Sequence, residues 1–338
     1  MLTRLLLALC LLVGCNSPGT MPIEEEPEAA IDTIEAPPPA PPPAPAAPAC
    51  TGKGGAPGDT TITLHVGARA REAILHAPPS YDPARPLPLV LVLHPLLLDH
   101  VQMRDTVRME RFSDEGEGAG FLTLFPNGVD KSWNAGECCG TAREENVDDV
   151  GYIRELLEEV ASTYCVDETR IFATGFSNGA FLSHRLGCEL GDTLRAIVPV
   201  AGTLGIPEAD CKRTTPLPVL AFHGTEDKLV PYGGGKPSGA LGFLGRLLDT
   251  AGTFPSPATT DAFWAKHNGA AETTVSSFAR GEVSCEQHEG AAPVTLCTVK
   301  GGGHQWPGTL DPFPVMGHAT KDIDATEAAV KFFREHGL

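Results

Sequence analysis

The sequence predicts an α/β fold with a mostly parallel central sheet and helices on both faces. Three observations carry that expectation. Strand-like and helix-like stretches alternate from about residue 60 onward, and the segment LPLVLVLH (87–94) is a continuous apolar run of strand length. Hydrophobic residues make up 42% and charged residues 20% of the 338, a balance that suits a globular body with a substantial core. A strand apolar at every position needs cover on both faces, as strands between two helix layers have.

The chain opens with MLTRLLLALCLLVGC, in which Arg4 precedes an apolar run from Leu5 to Val13 and the small Gly14 precedes Cys15. This reads as an export signal over residues 1–15, too short to span a bilayer. The tetrapeptide Leu12-Val13-Gly14-Cys15 resembles the bacterial lipobox, which implies a lipid on Cys15, and Asn16 in place of Asp after it resembles outer-membrane sorting. An ordinary cleaved signal with an incidental Cys15 is the alternative. Residues 16–49 are acidic and then almost wholly Pro and Ala, a linker that favours extended polyproline conformation and cannot build a core. Its fourteen residues 36–49 would reach roughly 40 Å at about 3.1 Å each. The expected location is therefore extracytoplasmic, anchored to the envelope (the outer membrane by the Asn16 signal) or secreted, with membrane contact only through the lipid.

Residues 50–338 are expected to form one catalytic domain. Segments 60–66 and 70–76 read as an antiparallel pair, and 87–94 as a buried strand. Further strands are expected at 121–125, 170–174, 196–200 and 218–223. Helical patterns fall at 101–112, 147–163, 179–189, 259–267 and 323–335, and strands alternating with helices imply a parallel sheet. There is no internal repeat.

The formal charge is −18, of which the six acids and lone Arg4 of residues 1–35 supply −5, leaving −13 on the rest. So acidic a surface, without a Lys/Arg cluster, disfavours nucleic acid and anionic headgroups. Apart from Cys10 and Cys15, eight cysteines remain, an even number that points to disulfides in an exported protein. Only Cys285 with Cys297, across an expected hairpin, is nameable as a pair. No metal site is expected, because neither a CxxC pair nor histidines at zinc-like spacing accompany these cysteines.

Gly175-Phe176-Ser177-Asn178-Gly179 fits G-x-S-x-G, the strained turn that lifts a serine hydroxyl above a sheet. The string alone is weak, but the apolar strand RIFAT before it and a helical pattern after it supply the context the turn requires. A serine needs a base, and in this arrangement the partners follow in the order serine, acid, histidine. The strand ending at His223 runs into Gly224-Thr225-Glu226-Asp227, which puts Asp227 past a strand's C-terminal end, with Glu226, Asp148 and Asp149 as rivals. Gly301-Gly302-Gly303-His304 offers the base on a glycine-rich late loop. His94 and His223, at strand ends, read as packing or loop-bracing residues. The oxyanion donors are expected at the N–H of Asn178 and, because Pro95 has none, at that of Leu96.

The stretch from about Arg71 onward resembles the polyhydroxybutyrate depolymerase and feruloyl/acetylxylan esterase group of α/β hydrolases. The likeness rests on LPLVLVLH, FPNG, SWNAGECCG with VDDVGYIRELLEEV, RIFATGFSNGAFLSHRLGCE, AIVPVAG, HGTEDKLVPY and GGGHQWPG. It implies the α/β-hydrolase fold, a Ser177–Asp227–His304 triad, and aromatic residues near the site at Trp133 and Trp306, for which core packing is the alternative. Two departures stand out. His94-Pro95-Leu96-Leu97-Leu98 replaces the family's usual His-Gly followed by a small residue or Cys, and a Gly-rich stretch from Gly233 to Pro257 with the apolar centre ALGFLGRLL is either a lid or a surface insertion.

The resulting expectation is ester hydrolysis through an acyl-enzyme, without metal or organic cofactor. The expected partner is an ester: a polyhydroxyalkanoate oligomer, a feruloyl or acetyl ester of a polysaccharide, or a simple aryl ester. A serine peptidase of the same fold and a non-catalytic ligand-binding surface lipoprotein are the rivals.

Overall fold

The run Leu87–Leu93 (β3) is buried at every position. Leu87, Leu89, Leu91 and Leu93 join one apolar cluster and Val90 and Val92 another, the two-residue alternation of a strand with a core on each side. Each such side chain, fully buried, contributes roughly 1.5–3 kcal/mol. This computed structural model describes residues 50–115, 120–237, 252–309 and 316–338. The signal, Cys15 and the linker lie outside the described residues, as does the apolar centre of the 233–257 stretch.

Around β3 lie β1 (Gly58–Val66), β2 (Arg69–Ala77), β4 (Leu122–Pro126), β5 (Val166–Phe176), β6 (Leu194–Val200), β7 (Val219–Gly224), β8 (Thr274–Arg280), β9 (Val283–His288) and β10 (Val294–Val299). Among the described residues they make one sheet in the order β1-β2-β4-β3-β5-β6-β7-β10-β9-β8. The strands from β4 to β10 in that order run parallel. Antiparallel pairs close both edges, β1 with β2 on one side and β9 with β8 on the other.

The helices are α1 (His100–Val107), α2 (Glu110–Asp114), α3 (Gly140–Glu144), α4 (Asp149–Thr163), α5 (Asn178–Glu189), α6 (Pro257–Asn268) and α7 (Ala325–Glu335). Ile153 and Leu156 of α4, Phe181 and Leu186 of α5 and Trp264 of α6 belong to one cluster. Met103 and Val107 of α1 and Val330 and Phe333 of α7 belong to the other. Both faces are thus covered, as a parallel sheet requires. Caps fix the helix starts: Asp148 accepts from Gly151 N at α4, and Asp324 from Thr326 N and Glu327 N at α7. Each is worth about 1 kcal/mol.

The structure departs from the sequence expectation in several places. The helix expected over 101–112 breaks into α1 and α2 where Arg108 turns left-handed at φ 48°, its N–H closing on Arg104 O. The edge strand β8 is exposed at all seven positions and so carries no apolar alternation to read. Three further disulfides, Cys50–Cys165, Cys138–Cys139 and Cys188–Cys211, join the expected Cys285–Cys297, whose members face each other directly across β9 and β10.

A buried ion pair ties the antiparallel strand β2 to the start of α4 and, through Asn134, to the loop after β4. Arg71 on β2 donates to Asp149 Oδ1 at 2.7 Å and lies 3.9 Å over the Tyr152 ring, while Asp149 Oδ2 accepts from Asn134 N at 2.7 Å. Removing either charge would strand the other away from water, at a cost of roughly 3–5 kcal/mol.

Candidate active site

Ser177 stands between the last residue of β5 and the first of α5 with φ 54° and ψ −119°, a left-handed conformation unusual for a residue with a side chain. Its N–H donates to Val200 O at the end of β6 at 2.9 Å, and its carbonyl accepts from Ala180 N and Phe181 N at 2.8 and 3.0 Å. The turn is tight enough that a Cβ on Gly175 would strike the backbone of Gly179, which accounts for the first glycine of the motif. Ser177 is half-buried, and Asn178 behind it is fully buried.

Asp227 follows β7 and His304 follows β10, the neighbouring parallel strand. Three hydrogen bonds lace the two loops: Thr225 N to Val299 O at 2.9 Å, Glu226 N to Gly302 O at 2.8 Å, and Gly301 N to Thr225 Oγ1 at 2.8 Å. His304 Nδ1 then meets Asp227 Oδ2 at 2.7 Å, with both side chains almost fully buried. Asp227 Oδ1 accepts from the N–H groups of Leu229 and Val230 at 2.8 Å each. Burial pushes the Asp227 carboxyl upward, but the adjacent His304, its hydrogen bond, His223 and Val230 N–H outweigh it and hold the group below its usual 3.8. A carboxylate on Nδ1 leaves Nε2 as the imidazole's free nitrogen. The Phe176 ring stacks on His304 with centroids 5.1 Å apart.

The rival acids are occupied elsewhere. Glu226 is exposed, Asp148 caps α4, and Asp149 is held by Arg71. His223 is buried, and burial lowers its imidazole below the usual 6.5, so the neutral ring donates from Nε2 to Val230 O at 2.8 Å and lies 3.5 Å from Asp227 Oδ2. His94 is likewise driven down by burial, to about 4; its Nδ1 donates to Pro95 O and its Nε2 accepts from Gly128 N, both at 2.8 Å. Both strand-end histidines brace loops.

The two residues expected to present oxyanion donors both lie at this end of the sheet. Asn178 N opens α5, Leu96 is half-buried in the loop after β3, and among the described residues neither N–H has an acceptor. The two tryptophans expected near the site are both buried. Trp133 is 0% and Trp306 2% exposed. The Trp133 indole donates to His94 O at 2.9 Å and that of Trp306 to Thr326 Oγ1 at 3.1 Å, so their contacts in this structure are with protein. Sequence reasoning missed the Asn178 carboxamide, whose Oδ1 accepts from Trp133 N at 2.7 Å and whose Nδ2 donates to Trp133 O at 3.0 Å. No local signal could have found a partner 45 residues away. Among the described residues no cluster of His, Cys, Asp or Glu could hold a metal ion, and no helix is long and apolar enough to cross a membrane.

A parallel sheet with a serine elbow after β5, a carboxylate after β7 and a histidine after the next parallel strand defines an α/β hydrolase. The phospholipase/carboxylesterase family pattern matches residues 142–241. The chain is 31% identical over 294 residues to "Putative esterase NocK" of Nocardia uniformis subsp. tsuyamanensis, covering 81% of this chain and 83% of that one. It is 31% identical over 241 residues to feruloyl esterase B of Piromyces equi, covering 69% of this chain but only 42% of that one. The acetyl xylan esterase from Aspergillus awamori shares the fold, with a TM-score of 0.55 and 12% identity over 78% of this chain and 94% of that one. The chain belongs to the α/β-hydrolase esterases, the family of its esterase relative from Nocardia uniformis.

Proposed function

We propose that this chain is an exported serine ester hydrolase that works through an acyl-enzyme on feruloyl or acetyl esters of polysaccharides or on short polyhydroxyalkanoate oligomers. The observation that carries the reading is the buried 2.7 Å contact between His304 Nδ1 and Asp227 Oδ2 on loops laced together beside the Ser177 elbow. In this reading His304 Nε2 takes the proton from Ser177 Oγ as the oxygen attacks the ester carbonyl. Asp227 holds the ring's tautomer and stabilises the imidazolium, and the N–H groups of Asn178 and Leu96 receive the tetrahedral oxyanion. His304 returns the proton to the departing alcohol, and water then releases the acid by the same steps in reverse order. The feruloyl esterase relative supports the substrate class, and the acidic body, −13 beyond residue 35, favours neutral esters over anionic ones.

The test is hydrolysis of p-nitrophenyl acetate, methyl ferulate and a hydroxybutyrate oligomer by the full chain and by Ser177→Ala. Turnover should fall at least about a thousandfold in the variant. A folded wild type that neither turns over any of these esters nor reacts with a fluorophosphonate overturns the reading and favours a ligand-binding lipoprotein. Turnover of peptides in preference to esters favours a peptidase. Lipidation at Cys15 is the finer part of the proposal, supported by the lipobox-like Leu12-Val13-Gly14-Cys15. The wild type should partition with membranes and Cys15→Ser should not; membrane association unchanged in Cys15→Ser removes the anchor from the proposal.

A further inference from the structure

The two backbone N–H groups that the proposed mechanism assigns to the oxyanion come from separate parts of the chain, Leu96 from the loop after β3 and Asn178 from the start of α5, and that mechanism needs the distance between them set. The segment Asn127–Asn134, after β4, touches both. On the Leu96 side, Gly128 N donates to His94 Nε2 at 2.8 Å, the Trp133 indole donates to His94 O at 2.9 Å, and Leu97 N donates to Lys131 O at 2.9 Å. On the Asn178 side, the backbone of Trp133 makes a reciprocal pair with the Asn178 carboxamide, at 2.7 and 3.0 Å. Trp133 is the residue that reaches both: its backbone holds Asn178 and its indole holds the carbonyl two residues before Leu96. It is 0% exposed, its ring centroid is 4.7 Å from that of His94, and the next residue, Asn134, is anchored through its N–H to the buried Asp149. Three residues with side chains, Leu97, Asp130 and Lys131, are left-handed where the two segments meet, at φ 71°, 46° and 57°. Backbone of that kind persists only where surrounding contacts hold it, and it gathers at sites that need a set geometry.

The geometry points to Trp133 as a positioning residue, with the Asn178 carboxamide as its partner, that fixes the separation of the Leu96 and Asn178 N–H groups; the inference rests on the reading of Ser177 as nucleophile. It also accounts for Pro95. A loop that cannot use the N–H of its first residue takes its donor one residue later, and the His94–Trp133 contact keeps that later residue in place. Donors aimed at the oxyanion act on the transition state more than on the bound ester, so loosening them should lower kcat and leave KM nearly unchanged.

The experiment uses the full chain and two variants. Trp133→Phe keeps an aromatic ring and deletes the indole N–H, and Asn178→Ala keeps the backbone donor and deletes the clamp. For p-nitrophenyl acetate, kcat should fall about tenfold or more in each, with KM within about threefold of wild type. The inhibition constant of a phenylboronic acid, which forms a tetrahedral adduct, should rise in step with the loss in kcat. Because both changes open one clamp, the double variant should be little worse than the poorer single one. A variant with wild-type near-ultraviolet circular dichroism that keeps kcat within about twofold overturns the inference. So does a rise in KM at constant kcat, which would make Trp133 a substrate contact. If Trp133→Phe does not fold, Asn178→Ala decides by the same outcomes. Ser177→Ala separates the two readings: if it retains activity, the assignment of the nucleophile has failed, whereas its inactivity beside an unaffected Trp133→Phe rejects the positioning role alone.

Discussion

Gly179 has no room for a side chain, because a Cβ there would lie against the carbonyl oxygens of Leu93 and His94. Both obstacles are backbone at the end of β3 and cannot swing aside. Gly179→Ala should therefore push α5 away from β3, at a cost of roughly 1–3 kcal/mol. Since His94 O is also the acceptor of the Trp133 indole, the same shift should disturb the oxyanion donors and lower kcat more than it raises KM. Urea unfolding and steady-state kinetics on the variant read both effects, and a wild-type midpoint with wild-type kcat would show that the contact is looser than described. The residues proposed to carry the chemistry are readable as candidates because each sits in a short local pattern: a serine between glycines after an apolar run, an acid just past another, a histidine behind three glycines. What holds them was not legible. The Asn178 carboxamide and the Trp133 indole find partners 45 and 39 residues away, and nothing in either neighbourhood announces them.

Among the elements, those read from sequence are the ones whose burial is periodic. The strand β3 is apolar throughout, and α4 buries Val150, Ile153, Leu156, Leu157 and Val160 at helical spacing. By the same logic β8, exposed along its whole length, gives no period, and the polar start of β5 at Val166–Thr169 hid four residues of a strand expected only from Arg170. The break between α1 and α2 went unread because the left-handed residue is Arg108, where a glycine would have signalled the stop. Among the disulfides only Cys285–Cys297 was nameable, since opposed hairpin positions are close by construction. Cys50–Cys165 closes 115 residues and is set by the tertiary fold alone.

For the whole molecule, the order of the strands brings the C-terminal ends of β5, β7 and β10 to one edge, and that edge also gathers neutral histidines. Burial lowers His94 to about 4 and His184 to about 3, and it lowers His223 as well, all from 6.5. Between pH 6.5 and about 4 the unfolded chain therefore binds up to three protons that the native chain refuses. Each refused proton makes stability rise with pH and fall on acidification, by up to about 1.4 kcal/mol per pH unit. Asp261, which burial raises to about 6, and Asp149, also raised by burial, offset this in part, since both take protons in the native chain at the lower end of that window. His76 acts in the opposite sense. Burial works against its charged form, but hydrogen bonds to Asp114 and Asp59 outweigh it and raise the group. Its contribution is complete below 6.5 and is lost as pH climbs through the raised value, so it does not blunt the acid limb. Asp227, held below 3.8, loses its contribution only at still lower pH. The urea midpoint should accordingly drop between pH 7 and pH 5. His184→Asn, which keeps an acceptor where Trp264 Nε1 donates at 3.0 Å, should flatten the slope at pH 5 by about one proton. A wild-type midpoint constant over that range, or a slope unchanged in His184→Asn, would mean that these rings are charged in the native state and that the buried edge is wetter than its contacts imply.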